Sequence, residues 1–223
     1  MTMFDASWSP KLRKIGELER GDHYHLTDGD DCYFLGEYTA RAGSQHSSTN
    51  QIIANIKKKP SVRLTPQWQY KTRDMARVAS ALGAALNQNV LPSITFVPIP
   101  PSKHRTDPEY DDRMTVIAKG IRSGVDVREM ISSCATRKAL HESDTRLRPE
   151  ELEELLELNE AVCAPPPSRI VLLDDVITTG SSFKACSNIL RRKFPEVSIA
   201  GVFVARRIFD YSGDFEVVDV SDF

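Results

Sequence analysis

Residues 169–183 read RIVLLDDVITTGSSF. Ile170 to Leu173 form an unbroken apolar run, the pattern of a strand covered on both faces rather than one with a wet side. The run leads into two adjacent acids, Asp174 and Asp175, and then into Thr178-Thr179-Gly180-Ser181-Ser182. Adjacent carboxylates repel, and burial adds to their cost. Their natural place is the carboxyl end of a strand, where open α/β sheets bind ligands. The amides of Thr178 to Ser182 can converge on one anion. Gly180 lets the turn close, hydroxyls add donors, and the dipole of a following helix favours negative charge. Paired acids just upstream suit vicinal hydroxyls and a hydrated Mg2+ better than they suit phosphate. An anion nest beside such acids describes a pocket for a ribose 5-phosphate. A strand ending in Asp-Asp also serves as the Mg2+ strand of P-loop NTPases, but that reading needs a GxxxxGK[ST] loop, and the sequence has none.

The segments around this stretch alternate in type. CYFLGEYT (32–39) reads as a strand, and Ser47, Ser48 or Thr49 can cap a helix carrying Ile52, Ile53 and Ile56. Lys57-Lys58-Lys59 fits the last turn of that helix and Pro60 its stop, a helix end rather than a nucleic-acid patch. Met75, Val78, Ala79, Leu82 and Leu86 make one stripe of a helix over 69–88, and ITFVPIP (94–100) reads as a buried strand. Met114, Ile117, Ala118 and Ile121 mark a further helix. REMISSC (128–134) fits a short strand or a helix end, and PEELEELLELNE (149–160) an acidic helix. Pro165 to Pro167 make an extended spacer, followed by the central strand, a helix over 182–193, the strand VSIAGVFVARR (197–207) and a strand-like FEVVDV (215–220). Strand, helix and strand with continuous apolar runs imply an α/β fold: a mostly parallel central sheet flanked by helices. Residues 1–50, polar and rich in turn formers, read as an N-terminal extension or hood, and 51–223 as the α/β domain.

Composition narrows the classes. With 40% hydrophobic and 27% charged residues over 223 positions, the chain is an ordinary globular one. Its net charge of −2 supplies no general attraction to nucleic acid or an anionic membrane. The four cysteines, Cys32, Cys134, Cys163 and Cys186, form no CxxC pair, and reduced thiols are expected. MTMFDASWSPKLRK (1–14) lacks the apolar core of a signal peptide, so a cytoplasmic location is expected.

VPIPPSKHR (97–105) is the second informative turn. A strand breaks at prolines, and the backbone at Pro101 and Ser102, with Lys103 or Arg105, can cradle a pyrophosphate. A solvated basic loop is the simpler reading of the same residues. LLDDVITTGSS (172–182) resembles the diphosphoribosyl-binding signature of type I phosphoribosyltransferases: apolar strand, two acids, then Thr-Thr-Gly with a hydroxyl residue. By that resemblance Asp174 and Asp175 hold the ribose hydroxyls and, through water, Mg2+. Thr178, Thr179, Gly180, Ser181 and Ser182 hold the 5-phosphate, and Pro101, Ser102, Lys103 and Arg105 the pyrophosphate. The implied reaction moves the 5-phosphoribosyl group of phosphoribosyl diphosphate to a nitrogen acceptor, a pentosyl transfer of nucleotide metabolism, and a homodimer is expected.

Over residues 50–207 the layout is similar to the competence-associated ComF-like branch, with two departures. Cys32 stands alone where that branch carries a zinc ribbon, and DPEYDDR (107–113) replaces its Arg-Gly-Phe-Asn segment. In the replacement, Asp111 and Asp112 fit caps of the next helix; the alternative is a cation site with Arg113 pairing the acids. RKALHESDTRLR (137–148) stands where such enzymes place a loop that closes over the reacting centre. There Arg137 and Lys138, with Arg146 and Arg148, would meet pyrophosphate, and His141, Glu142 and Asp144 would assist the nucleophile. A solvated linker is the plainer reading. Two other functions stand beside the enzyme: a sensor of phosphoribosyl diphosphate or nucleotide, and a component of a DNA-uptake or defence assembly.

Overall fold

The computed structural model describes residues 5–134 and 147–209. Strand β1 (Trp8–Lys14) and the single turn α1 (Glu17–Arg20) precede β2 (Asp31–Thr39). Helices α2 (Ser48–Ile56) and α3 (Trp68–Ala85) lead to β3 (Ile94–Pro98), and α4 (Arg113–Gly120) to the short β4 (Asp126–Val127). Next come β5 (Ile131–Ser133), α5 (Pro149–Glu153) and β6 (Leu156–Leu158). The chain then runs through β7 (Arg169–Ile177), α6 (Ser181–Lys193) and β8 (Ser198–Ile208).

Six strands form one sheet in the order β1-β2-β8-β7-β3-β4, and every pairing but β1 with β2 is parallel. The expected α/β architecture, a mostly parallel sheet flanked by helices, is what the chain adopts. On one face Ile52, Ile53 and Ile56 of α2, the α3 stripe and Met114 and Ile117 of α4 pack on Val171, Leu173 and Val204. On the other, Phe183, Cys186 and Leu190 of α6 pack with Met130 and Ile131 against Ile170, Leu172 and Phe203. Gly83 sets the spacing of α3 and α4: a Cβ there would lie 2.6 Å from the Ile121 carbonyl.

Several segments differ from the sequence expectation. Residues 8–14 and 31–39, inside the stretch read as an extension, are two strands of the main sheet, with β2 paired along β8. Pro10 obscures β1, yet an edge strand accommodates proline because one side of its backbone needs no ladder partner. Residues 149–160 are not one helix. A single turn ends at Glu153, and Leu156–Leu158 pairs antiparallel with Ile131–Ser133, which makes 131–133 a strand. Leu156 and Leu158 are two apart, so a strand brings both to the core beside α6, which a helix does not. Helix α2 stops at Ile56, leaving the three lysines beyond its last turn, and α3 stops at Ala85. The central strand continues past its two acids to Ile177. FEVVDV (215–220) lies outside the described residues.

Candidate functional site

Strand neighbours decide where a crevice opens. From β7 the chain passes through α6 to β8 on one side, and from β3 through α4 to β4 on the other. The loops leaving β7 and β3 therefore diverge, the switch point at which α/β sheets bind ligands. Pairing of the two strands runs as far as the Ile99 N–H on the Leu173 carbonyl (2.9 Å). The next residue of β7 is Asp174.

On the β7 side the loop turns at Gly180, whose φ of +90° is a left-handed value. A Cβ there would lie 3.0 Å from the buried Leu26 side chain, so space and backbone both call for glycine. The Thr178 and Thr179 carbonyls point back toward the N-terminal segment. His23 Nδ1–H donates to the first, and the His25 N–H donates to the second at 3.0 Å. The first α6 bond of this turn is Lys184 N–H to Gly180 O (2.9 Å), so the amides of Ser182 and Phe183 precede it, as orphan donors at a helix N-terminus do. Thr178, Gly180, Ser181 and Ser182 line a cleft of about 270 Å3 together with Asp174, Ile177 and Phe203. Thr179 does not line it. Its hydroxyl is buried and shares a 2.8 Å hydrogen bond with the Ser181 hydroxyl, so both brace the turn internally.

Alternation along β7 sends the two acids to opposite faces, Asp174 with Ile170 and Leu172, and Asp175 with Val171 and Leu173. Asp175 is 4% exposed. Arg113 places Nε at 2.8 Å and Nη2 at 2.5 Å from its Oδ2, and Lys57 Nζ lies 3.0 Å from Oδ1. Burial would raise this carboxyl, but Arg113 and Lys57 outweigh it and hold it well below the usual carboxylate range. Asp174 is half-buried and takes one bond from the described residues, the Asp175 N–H to its Oδ1 (2.8 Å). Burial, and then the charge of Asp175, push the Asp174 carboxyl up. Its other oxygen is left to the crevice.

On the β3 side a cleft of about 510 Å3 is bordered by Pro98–Pro101, Lys103, Arg105, Tyr110–Thr115, Glu129, Ile131–Ser133 and again Asp174. Ser133 Oγ fixes the turn by donating to the Pro101 carbonyl (2.9 Å). Lys103 Nζ is 3.5 Å from Asp107, and Arg105 pairs with Glu129 while lying over the Tyr110 ring. Both cations expected to meet pyrophosphate thus already face acids. Ser102 is exposed at the turn and outside the cleft wall.

Asp112 occupies the N-cap position of α4 but makes no side-chain cap bond. Asp111 accepts the Arg113 N–H (3.2 Å) and pairs with both Arg113 and Lys71, so of the two acids Asp111 is a cation partner. Arg137, Lys138, His141, Glu142, Asp144 and Arg146 lie outside the described residues. Among the described residues no three His, Cys, Asp or Glu side chains cluster as a metal cage.

Lys57, Lys71 and His23 were not expected at the site in these roles; Arg113 was expected to pair the acids before α4, which holds for Asp111, but not to hold Asp175. Lys71 carried a signal: it falls four residues before Met75 and seven before Val78, in phase with the buried stripe of α3. His23 carried none, since nothing local marks a histidine that braces a loop 155 residues away. Among the described residues no helix is long and apolar enough to cross a membrane. No protein-family model matches the chain, and no curated protein matches it.

Proposed function

We propose that the chain has the type I phosphoribosyltransferase fold and binds phosphoribosyl diphosphate with Mg2+ across the switch-point crevice, passing the phosphoribosyl group to a nitrogen acceptor. The observation that carries this reading is the place of Asp174, which borders both the cleft at the Gly180 turn and the cleft at the basic loop. A ligand with a phosphate at one end, a pyrophosphate at the other and vicinal hydroxyls between matches that order of groups.

In this reading the amides at the start of α6 take the 5-phosphate and Asp174 accepts hydrogen bonds from the ribose hydroxyls. Lys103 and Arg105 turn from Asp107 and Glu129 toward pyrophosphate. The C1–O bond breaks with its electron pair leaving on pyrophosphate, and the acceptor nitrogen supplies the pair for the new C1–N bond and loses its proton. Transition-state stabilisation is electrostatic, from donors aimed at the leaving group. Bound Mg2+ would add positive charge against the pyrophosphate oxygens.

The engagement of both loop cations by acids favours a second reading, a sensor that binds phosphoribosyl diphosphate without turnover. Calorimetry with phosphoribosyl diphosphate and Mg2+ tests the shared premise, with Asp174→Asn expected to lose binding. No binding to the wild type rejects both readings. Binding without pyrophosphate release across nucleobases and amines leaves the sensor.

A further inference from the structure

The charges behind Asp175 form a closed ring. Lys71, 1% exposed, uses all three ammonium hydrogens, on the Ile56 carbonyl (2.8 Å), the Lys58 carbonyl (2.7 Å) and Asp111 Oδ2 (2.7 Å). Asp111 Oδ2 also takes Arg113 Nη1 at 2.8 Å. Arg113 spans to Asp175 with two donors on Oδ2, and Asp175 Oδ1 meets Lys57. Lys57 adjoins Lys58, whose carbonyl Lys71 holds, and the circuit closes. It joins the end of α2, the start of α3, the N-terminus of α4 and the tip of β7.

Withdrawing Lys71, Arg113, Asp111 and Asp175 largely from water, with only Lys57 at an exposed corner, costs desolvation that an apolar cluster of the same volume avoids, so net stability is a weak reason for such a ring. What it supplies is geometry. Lys71, Asp111, Arg113 and Asp175 each have two or more directed partners, and Arg113 cannot shift without giving up its bonds to both acids. Both Asp175 oxygens are occupied by cations, on the face away from Asp174. We propose that Lys57, Lys71, Asp111, Arg113 and Asp175 act as one positioning ring that fixes the β7 tip, and that Asp174 alone of the paired acids meets ligand. This inference rests on the phosphoribosyl diphosphate reading for its second half and on geometry alone for its first.

Calorimetry with phosphoribosyl diphosphate and Mg2+ compares wild type, Asp174→Asn, Asp175→Asn, Lys71→Met and the Lys71→Met/Asp175→Asn double variant. Each is held at a temperature where circular dichroism shows it folded. Asp174→Asn should weaken binding about a hundredfold, the loss of charged hydrogen bonds. Asp175→Asn and Lys71→Met should each weaken it about tenfold, and the double variant no further, because members of one unit are not additive. Should Lys71→Met fail to fold, Lys57→Ala at the half-exposed corner replaces it in the same cycle. An Asp175→Asn loss equal to that of Asp174→Asn, beside a neutral Lys71→Met, makes Asp175 a ligand contact and overturns the proposal. So does a set of ring variants with lowered melting temperature and unchanged affinity, which is a structural role only. If the wild type binds no phosphoribosyl diphosphate, the functional reading and the role of Asp174 fall together. The ring is then judged by urea denaturation of the same cycle, where additive effects on the folding constant reject it.

Discussion

The loops that leave β7 and β3 were both legible as anion cradles, and they are built in opposite ways. The β7 loop offers main chain. His23 and His25 hold its carbonyls, Leu26 packs under Gly180, and a 13-residue helix begins at once. The β3 loop offers side chains. Lys103 and Arg105 project from a turn of prolines and short-range bonds, each facing an acid, and α4 begins only at Arg113. The first is preorganised, since its donors need not move and give up no partner to take an anion. To take an anion, the second would have to exchange Asp107 and Glu129 for it. A tight anchor beside an exchangeable grip suits a ligand that keeps one phosphate and releases the other end.

The largest effect should come from filling the anchor. Gly180→Val places a β-branched residue at φ +90° with its Cβ against Leu26. Left-handed strain alone costs about 1–3 kcal/mol, before any repacking. Urea denaturation should show at least that loss, and phosphate-dependent stabilisation should vanish. A Gly180→Val protein that still gains stability from phosphoribosyl diphosphate would break the comparison, because the anchor would not depend on this turn.

The same contrast explains what the sequence made legible. The apolar run 170–173, the Asp pair and the Gly180 turn are contiguous, so pattern and turn chemistry placed strand, turn and helix together. The divergence of the β7 and β3 loops follows from strand order, which no local pattern carries. Leu156 and Leu158 were misread because Leu152, Leu155 and Leu156 mimic a helical stripe, and only pairing with Ile131–Ser133 decides for strand. Lys57 was read as a helix end from its neighbours Lys58 and Lys59, yet its partner Asp175 is remote in sequence. The opposed directions of Asp174 and Asp175 follow from strand period once β7 is known to run through to Ile177.

A middle-sized effect should come from loosening the brace of the anchor. His23 is fully buried, its Nδ1–H is on Thr178, and its Nε2 has no partner among the described residues. Burial outweighs that bond and lowers its pKa from 6.5. The unfolded chain therefore takes up a proton near 6.5 while the native state resists until lower pH. Stability present above 6.5 is lost as pH falls toward the native value, at up to about 1.4 kcal/mol per pH unit. His23→Gln should cost about 1 kcal/mol at pH 7.5 through its disturbed hydrogen bond. Between pH 6.5 and 5 its melting temperature should fall less steeply than that of the wild type. Parallel slopes would mean that His23 titrates as a solvated group, and the brace would lose its physical basis.

The smallest change in stability, and the most informative about exchange, should come from Glu129→Gln. Arg105 is 53% exposed, so its ion pair with Glu129 adds little to the fold, and the melting temperature should barely move. Glu129 also accepts the Thr115 hydroxyl at 2.6 Å, a bond that glutamine keeps through its amide oxygen. If Glu129 competes with ligand for Arg105, removing its charge frees the cation, and pyrophosphate should bind several-fold more tightly. Arg105→Ala should weaken the same binding, and both shifts should shrink as salt rises from 50 to 500 mM, because the charges are screened at the surface. Inorganic phosphate at the Gly180 turn should respond to neither change, since main-chain amides supply that site. A Glu129→Gln protein with unaltered pyrophosphate affinity would mean that Arg105 never leaves Glu129. The β3 loop would then be as fixed as the β7 loop, its ion pairs structural, and the grip on pyrophosphate would have to come from elsewhere in the crevice.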